Sequence, residues 1–317
     1  VRAIRITSYG GPEVLAIEEV PDPVAGDGFE LIRVSAAGVN FADTHQTENT
    51  YLSTTQLPTI PGSEVVGETA DGRRVAALVG IGGYAELAVA VAGLTFDVPD
   101  EVSDVQALAV MVQGLSAWHL LSTCAHIAPG ESVVVQAAAG GVGSLAIQLA
   151  RTWGAGRIIG ISSSAEKRAL ATDLGADATV DGDATNLTAA LLDANGGAPV
   201  DIVLEMTGGP TFDASLAALA PFGRLVTYGM AGRTPARPVE AGDLLRHSRA
   251  VIGFWLAHCI GRPGMIREPL TSMFQMIAGR SLAPVIGGTY PLADARRAHE
   301  DLLARRTTGK LALDPRS

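Results

Sequence analysis

The segment of this chain best suited to hold a charged ligand is Val133-Val134-Val135-Gln136-Ala137-Ala138-Ala139-Gly140-Gly141-Val142-Gly143, a β-branched run that breaks into glycines. It reads as a strand, a tight turn and a helix start. In such a turn Gly140 lets the backbone approach a pyrophosphate and Gly143 lets helix pack on strand. The N–H groups of Ala139, Gly140, Gly141, Val142 and Gly143, at the positive end of the helix dipole, favour an anion. The spacing is A-x-x-G-x-x-G, with Ala137 where a first glycine usually stands, and a glycine turn that binds nothing is the competing reading. The context argues for a dinucleotide. A helix over 144–153 stops at Gly154, and Arg157-Ile158-Ile159-Gly160-Ile161 supplies a second strand, completing a βαβ unit of about 30 residues.

The end of that second strand selects the cofactor. An NAD site places Asp or Glu there for the ribose hydroxyl, and the carboxylate repels a 2′-phosphate. This chain has Ser162-Ser163-Ser164, with Lys167, one of only two lysines, a helical turn further on. Ser162, Ser163 and Lys167 can donate to a phosphate, so NADPH is expected. Glu166 stands in a capping-box relation to Ser163, which turns its carboxylate onto the helix N-terminus. A capped helix with a solvated lysine is the alternative.

The elements that must position these residues fall into two groups. The 317 residues, 47% hydrophobic and 18% charged, are enough for two domains. Up to about residue 98, short β runs such as Val14-Leu15-Ala16-Ile17, Leu31-Ile32-Arg33-Val34 and Arg74-Val75-Ala76-Ala77 predict a barrel-like β domain. Over 112–254 strands alternate with helices, predicting a doubly wound parallel α/β sheet. A helix over 268–279, a strand near Pro284-Val285-Ile286 and a helix over 293–304 return to the first domain. The expected division is therefore 1–111 with 255–317, and 112–254. A net charge of -10 disfavours nucleic acid and anionic membranes as partners. No stretch reads as long and apolar enough to span a bilayer, and no signal peptide is evident, so a cytoplasmic location is expected. Cys124 and Cys259 are too few for a disulfide framework and read as core residues.

With these elements placed, the chain resembles the zinc-free quinone reductase branch of the medium-chain dehydrogenase/reductase superfamily nearly end to end. The motifs are Gly38-Val39-Asn40-Phe41-Ala42-Asp43, Pro61-Gly62-Ser63-Glu64-Val65-Val66-Gly67, Gly83-Tyr84-Ala85-Glu86, Gly114-Leu115-Ser116-Ala117, the glycine turn, Leu174-Gly175-Ala176-Asp177 and Gly309-Lys310. The resemblance implies a GroES-like catalytic domain and a Rossmann domain with the active site between them, and a homodimer. Zinc-dependent relatives have Cys, His and Cys as ligands where this chain has Asn40, Ser63 and Val112. Those losses abolish a tetrahedral site, and the implied reaction is metal-free reduction of a small-molecule quinone or enone.

The resemblance also implies roles. Asn40 faces nicotinamide and substrate, while Tyr51 and His45 are alternative proton donors, and ordinary loop or packing roles remain open for all three. Asp43 reads as structural. Ser116, Tyr228, Gly229, Met230 and Phe254 border the nicotinamide, and Arg305 and Lys310 are basic candidates for the 2′-phosphate. Three positions depart from the family. Thr47 and Asn49 replace an arginine and a glycine between His45 and Tyr51, and Gly182 replaces a tyrosine beside the adenosine phosphate. The first change keeps a dedicated enoyl reductase acting on a carrier-bound or polycyclic enone in view. A catalytically idle binding protein is the reading from another class.

Overall fold

The computed structural model of the chain describes residues 1–317. They form two compact units, residues 1–113 with 267–317, and residues 114–266. The second boundary lies beyond the one expected at 254/255, because residues 255–266 are tied to the second unit. The His119 ring bonds Met265 O at 2.6 Å.

The first unit opens with the antiparallel pair β1 (Arg2–Arg5) and β2 (Ala16–Glu19). The strand expected from Val14 begins two residues later, because Pro12 fixes its own φ and starts a 3-10 turn over Pro12–Val14. β3 (Phe29–Val39), α1 (Phe41–Thr47), β4 (Glu64–Thr69), β5 (Arg74–Leu78), β6 (Leu87–Val91) and β7 (Thr95–Asp97) follow. α2 (Asp104–Ala109) is capped by Ser103, whose hydroxyl accepts from Gln106 N at 3.4 Å.

The helical run continues from α2 through a π turn at Val110–Gly114, α3 (Leu115–His119) and a π turn at Leu120–Cys124. Contrary to the sequence expectation, this 21-residue run Asp104–Cys124, which contains an 18-residue window of mean hydropathy 1.3, is long and apolar enough to cross a membrane by length and composition. That window is also 72% buried within the protein, as a core helix is. Gln113, Ser116 and His119 interrupt its apolar pattern and hide it from a search for unbroken runs.

The second unit contains β8 (Ser132–Val135), α4 (Gly141–Thr152), β9 (Arg157–Ser162), α5 (Ala165–Asp173), β10 (Ala178–Asp181), α6 (Leu187–Ala194), β11 (Val200–Glu205), α7 (Gly209–Ala217), β12 (Leu219–Thr227), α8 (Ala241–His247) and β13 (Ala250–Gly253). Its six strands run in the order β10-β9-β8-β11-β12-β13, all parallel. Val133, Val134, Ile158, Ile159, Ile202 and Val203 are all fully buried. Both faces of the sheet are covered, which is why these strands read as continuous apolar runs. Strand order reverses between β8 and β11, the topological switch point at which such sheets bind ligands.

The chain then returns to the first unit through α9 (Arg267–Ala278), β14 (Ile286–Pro291), α10 (Ala295–Leu303) and β15 (Lys310–Asp314). Its sheet runs β14-β15-β3-β4-β5-β7, with β6 also on β3. Antiparallel pairing of Leu311 with Val39 sets Lys310 beside the end of β3.

Candidate active site

The glycine turn follows β8 as expected. Gly140 is the N-cap of α4, and Ser144 N donates to its carbonyl at 2.9 Å. Ala137, in the place of the first glycine, adopts φ 46, a left-handed conformation that costs an alanine about 1–2 kcal/mol. Gly143 is needed for close packing, since a Cβ there would collide with the Ala137 carbonyl. Gly143 and Ala139 are buried, whereas Gly140, Gly141 and Val142 are half-buried at the mouth of the turn. The Gly140 N–H donates to Ala137 O at 2.7 Å. The N–H groups left for an anion are therefore those of the first turn of α4, beginning with Gly141 and Val142, which have no intrahelical acceptor.

At the end of β9 the Ser162 hydroxyl is buried and has no protein partner. The helix cap falls one residue later than expected: Ser164 caps α5, accepting from Lys167 N at 3.3 Å. Glu166 still turns back, bonding its own N–H and the Ser164 hydroxyl, which hold its carboxyl below the usual range. Lys167 is half-buried and Ser163 exposed. Arg168, not singled out from sequence, donates to Ser162 O at 3.0 Å and pairs with Asp181 at 2.9 Å. β9 itself ends on serines and not on an acid; the carboxylate beside it is Asp181, the partner of Ser162 on β10, and it is paired with Arg168. The set suits a phosphate monoester.

Two buried residues not singled out from the sequence brace the carboxyl edge of the sheet. Gln136 Oε1 accepts from Thr207 Oγ1 at 2.8 Å and Met206 N at 3.2 Å. Glu205 Oε1 accepts from Gly208 N at 2.7 Å and Thr207 N at 2.8 Å, while burial pushes its carboxyl up. Ala231 N and Gly232 N then donate to Met206 O and Thr207 O, each at 2.8 Å, so Tyr228, Gly229 and Met230 hang on a braced loop. Polar residues ending apolar strands are the one feature of the sequence that points to them. Ser116 is buried on α3, and Phe254 lies half-buried with its ring 6.0 Å from His119.

In the first unit, Asn40 (5% exposed) joins a buried charged cluster. Its Nδ2 donates to Glu64 Oε1 at 2.8 Å, and its Oδ1 accepts from Lys310 Nζ and Gln113 Nε2, each at 3.1 Å. Lys310 Nζ also pairs with Glu64, and Val112 N donates to Glu64 Oε2 at 2.6 Å. Gly38 makes room, because a Cβ there would collide with the Glu64 carboxylate. Lys310 is 1% exposed and saturated by protein acceptors, which corrects its expected role as a phosphate ligand. Arg305, just past α10, is exposed with φ 56. A hydrocarbon at 112 and an ammonium against Asn40 do not make a donor set for a metal dication.

Beside this cluster, Asp43 Oδ2 accepts from Asn40 N and from the Tyr84 hydroxyl, both at 2.8 Å, so Asp43 fixes the start of α1 as expected. Tyr84 in turn lies 3.0 Å from His299 Nε2. His45, on α1, bonds Thr50 through Nδ1 at 2.9 Å, and Tyr51, the next residue, is half-buried. Thr47 is buried, with its hydroxyl on Thr44 O. Asn49, at φ 55, accepts from Thr55 N at 2.9 Å and shapes the loop that carries Tyr51.

Burial raises Asp43 to about 6 and lowers His299 to about 4. As pH falls from 6 to 4 the native state alone binds the Asp43 proton and gains stability. The unfolded state alone binds the His299 proton, and stability is lost. Each effect is worth about 3 kcal/mol, so they nearly cancel. Asp43→Asn, which keeps an acceptor for Tyr84, should uncover the loss: its stability should fall by about 3 kcal/mol between pH 6.5 and 4. Denaturant titrations of both proteins across that range check this, and parallel pH profiles would contradict it.

Residues 26–100 match the family described as Alcohol dehydrogenase GroES-like domain, and residues 141–275 match Zinc-binding dehydrogenase. A Quinone oxidoreductase of Pseudomonas aeruginosa is 34% identical over 99% of both chains. The structure of a Quinone Oxidoreductase from Thermus thermophilus, solved also in complex with NADPH, superposes with a TM-score of 0.89 at 37% identity, covering 99% of this chain and 100% of that one. Escherichia coli Quinone Oxidoreductase complexed with NADPH gives 0.92 at 29% identity over the same shares. The motifs, the two folds and the full-length likeness agree, and the chain belongs to the zinc-free quinone oxidoreductase branch of the medium-chain dehydrogenase/reductase superfamily.

Proposed function

We propose that this chain is an NADPH-dependent, metal-free reductase of quinones, with activity extending to α,β-unsaturated carbonyl compounds. The observation that carries the cofactor reading is the buried, unpartnered Ser162 hydroxyl at the end of β9, a strand that ends on serines where an NAD site has an acid, while the neighbouring Asp181 carboxylate is paired with Arg168. NADPH, when bound, supplies the hydride. Gly140, Gly141 and Val142 hold the pyrophosphate, and Ser162, Ser163 and Lys167 hold the 2′-phosphate, with Arg305 a further basic candidate. Ser116, Tyr228, Gly229, Met230 and Phe254 border the nicotinamide. Asn40 offers an N–H to the substrate oxygen, and Tyr51 or His45 supplies a proton. Preorganised donors of this kind replace the metal in meeting developing negative charge. The substrate class follows the relatives, and the reshaped loop between His45 and Tyr51 supports an enone as a second acceptor.

NADPH oxidation with and without a small quinone tests the reading: quinone-dependent turnover is expected, and none would leave a cofactor-binding protein without activity. Lys167→Ala should raise the NADPH dissociation constant about tenfold while leaving NADH almost unchanged, since a charge-assisted bond to the 2′-phosphate is worth about 1.5–3 kcal/mol. Equal losses with both cofactors would remove that role. We also propose a homodimer, supported by the outer edge of β13, which has no strand beyond it. Equilibrium sedimentation at twice the 32.6 kDa chain mass is the expected outcome.

A further inference from the structure

The buried ion pair dictates the orientation of two carboxamides, and the groups left over are specific. Lys310 has only donors, so the Asn40 atom 3.1 Å from Nζ is its oxygen. Glu64 as a carboxylate has only acceptors, so the Asn40 atom 2.8 Å from it is Nδ2. Gln113 meets the Asn40 oxygen at 3.1 Å and must present its own NH2 there. Its carbonyl oxygen is thereby turned away, and it is buried with no partner. Asn40 Nδ2 carries two protons, of which Glu64 takes one. Elsewhere the cluster is matched: Lys310 divides its three protons among Glu64, Asn40 Oδ1 and Val39 O, and Glu64 Oε2 takes Val112 N. What remains is one N–H on Asn40, and on the adjacent Gln113 the carbonyl oxygen and the second N–H.

A reducible carbonyl oxygen changes its hydrogen-bonding character during the reaction. It enters able only to accept and leaves as a hydroxyl that also donates. We propose that Asn40 and Gln113 form an oxygen subsite: Asn40 Nδ2–H holds the incoming quinone oxygen, and Gln113 Oε1 accepts from the hydroxyl of the hydroquinone product. The proposal rests on the reading of the chain as a quinone reductase. In that reaction the quinone takes a hydride from NADPH and one proton, NADPH becomes NADP+, and both C=O groups become C–O–H. Glu64 and Lys310 are positioning residues, because without them either carboxamide could turn over and present the wrong atom.

The test is binding of 1,4-hydroquinone and of 1,4-dimethoxybenzene, which keeps the ring and oxygens but cannot donate, to protein saturated with NADP+. Calorimetry should show the wild type preferring hydroquinone. Gln113→Leu should weaken hydroquinone about tenfold, the usual worth of a buried hydrogen bond, and leave the diether unchanged. Gln113→Met serves the same purpose if the leucine variant does not fold. A purely structural Gln113 would instead weaken both ligands alike, overturning the proposal, as would a wild type that does not discriminate. Full hydroquinone preference without NADPH-dependent quinone turnover would support the subsite and sink the reductase reading on which it was built.

Discussion

Lys310→Met is expected to cost about 3–5 kcal/mol of stability, the range for removing one partner of a buried ion pair. The methionine nearly matches the lysine stem in volume, so the loss comes from leaving Glu64, which is 0% exposed, without its cation. Most of it should return in the Glu64→Gln, Lys310→Met double variant, because a neutral amide there is far cheaper to bury than a lone carboxylate. Denaturant unfolding of the three proteins reads both numbers. A single-variant loss below about 1 kcal/mol would mean that the pair contributes no more than an exposed one does.

Tyr51→Phe should lower the rate constant for enone reduction by about 10²-fold or more, the usual scale for a general acid, while NADPH affinity stays constant. The substitution removes one hydroxyl and little volume from a half-buried ring. A quinone should suffer less, because its reduced oxygens can take protons from water. His45→Gln tests the competing donor, whose ring already bonds Thr50 at 2.9 Å. Single-turnover rates with both acceptors separate the possibilities. Full enone activity in both variants and in their double variant would assign proton delivery to water.

The readable parts of the sequence are those in which local pattern and tertiary role coincide. The βαβ unit announces itself because a buried parallel strand is uniformly apolar and its turn needs small residues; even Ala137 is visible as the departure it is, at φ 46. The cap of α5 lies one residue from its expected place, since Ser162, Ser163 and Ser164 offer the same hydroxyl and only the chain path chooses among them. Lys310 misleads for a deeper reason. A lysine is almost never fully buried unless paired, and its partner, Glu64, is 246 residues away in sequence. Gln113 is invisible on the same grounds: the atom it presents is set by Asn40, which is set in turn by Lys310 and Glu64. Such groups carry no local signature.

The proposed chemistry is metal-free, NADPH-dependent quinone reduction at a site where Asn40, Ser63 and Val112 stand in place of the zinc ligands of metal-dependent relatives. Its most direct test is zinc content and quinone-dependent NADPH oxidation measured on the same sample after exhaustive dialysis against a chelator. The account predicts well under one zinc per chain and undiminished turnover, faster with NADPH than with NADH. About one tightly held zinc per chain, with activity lost on its removal, would contradict it.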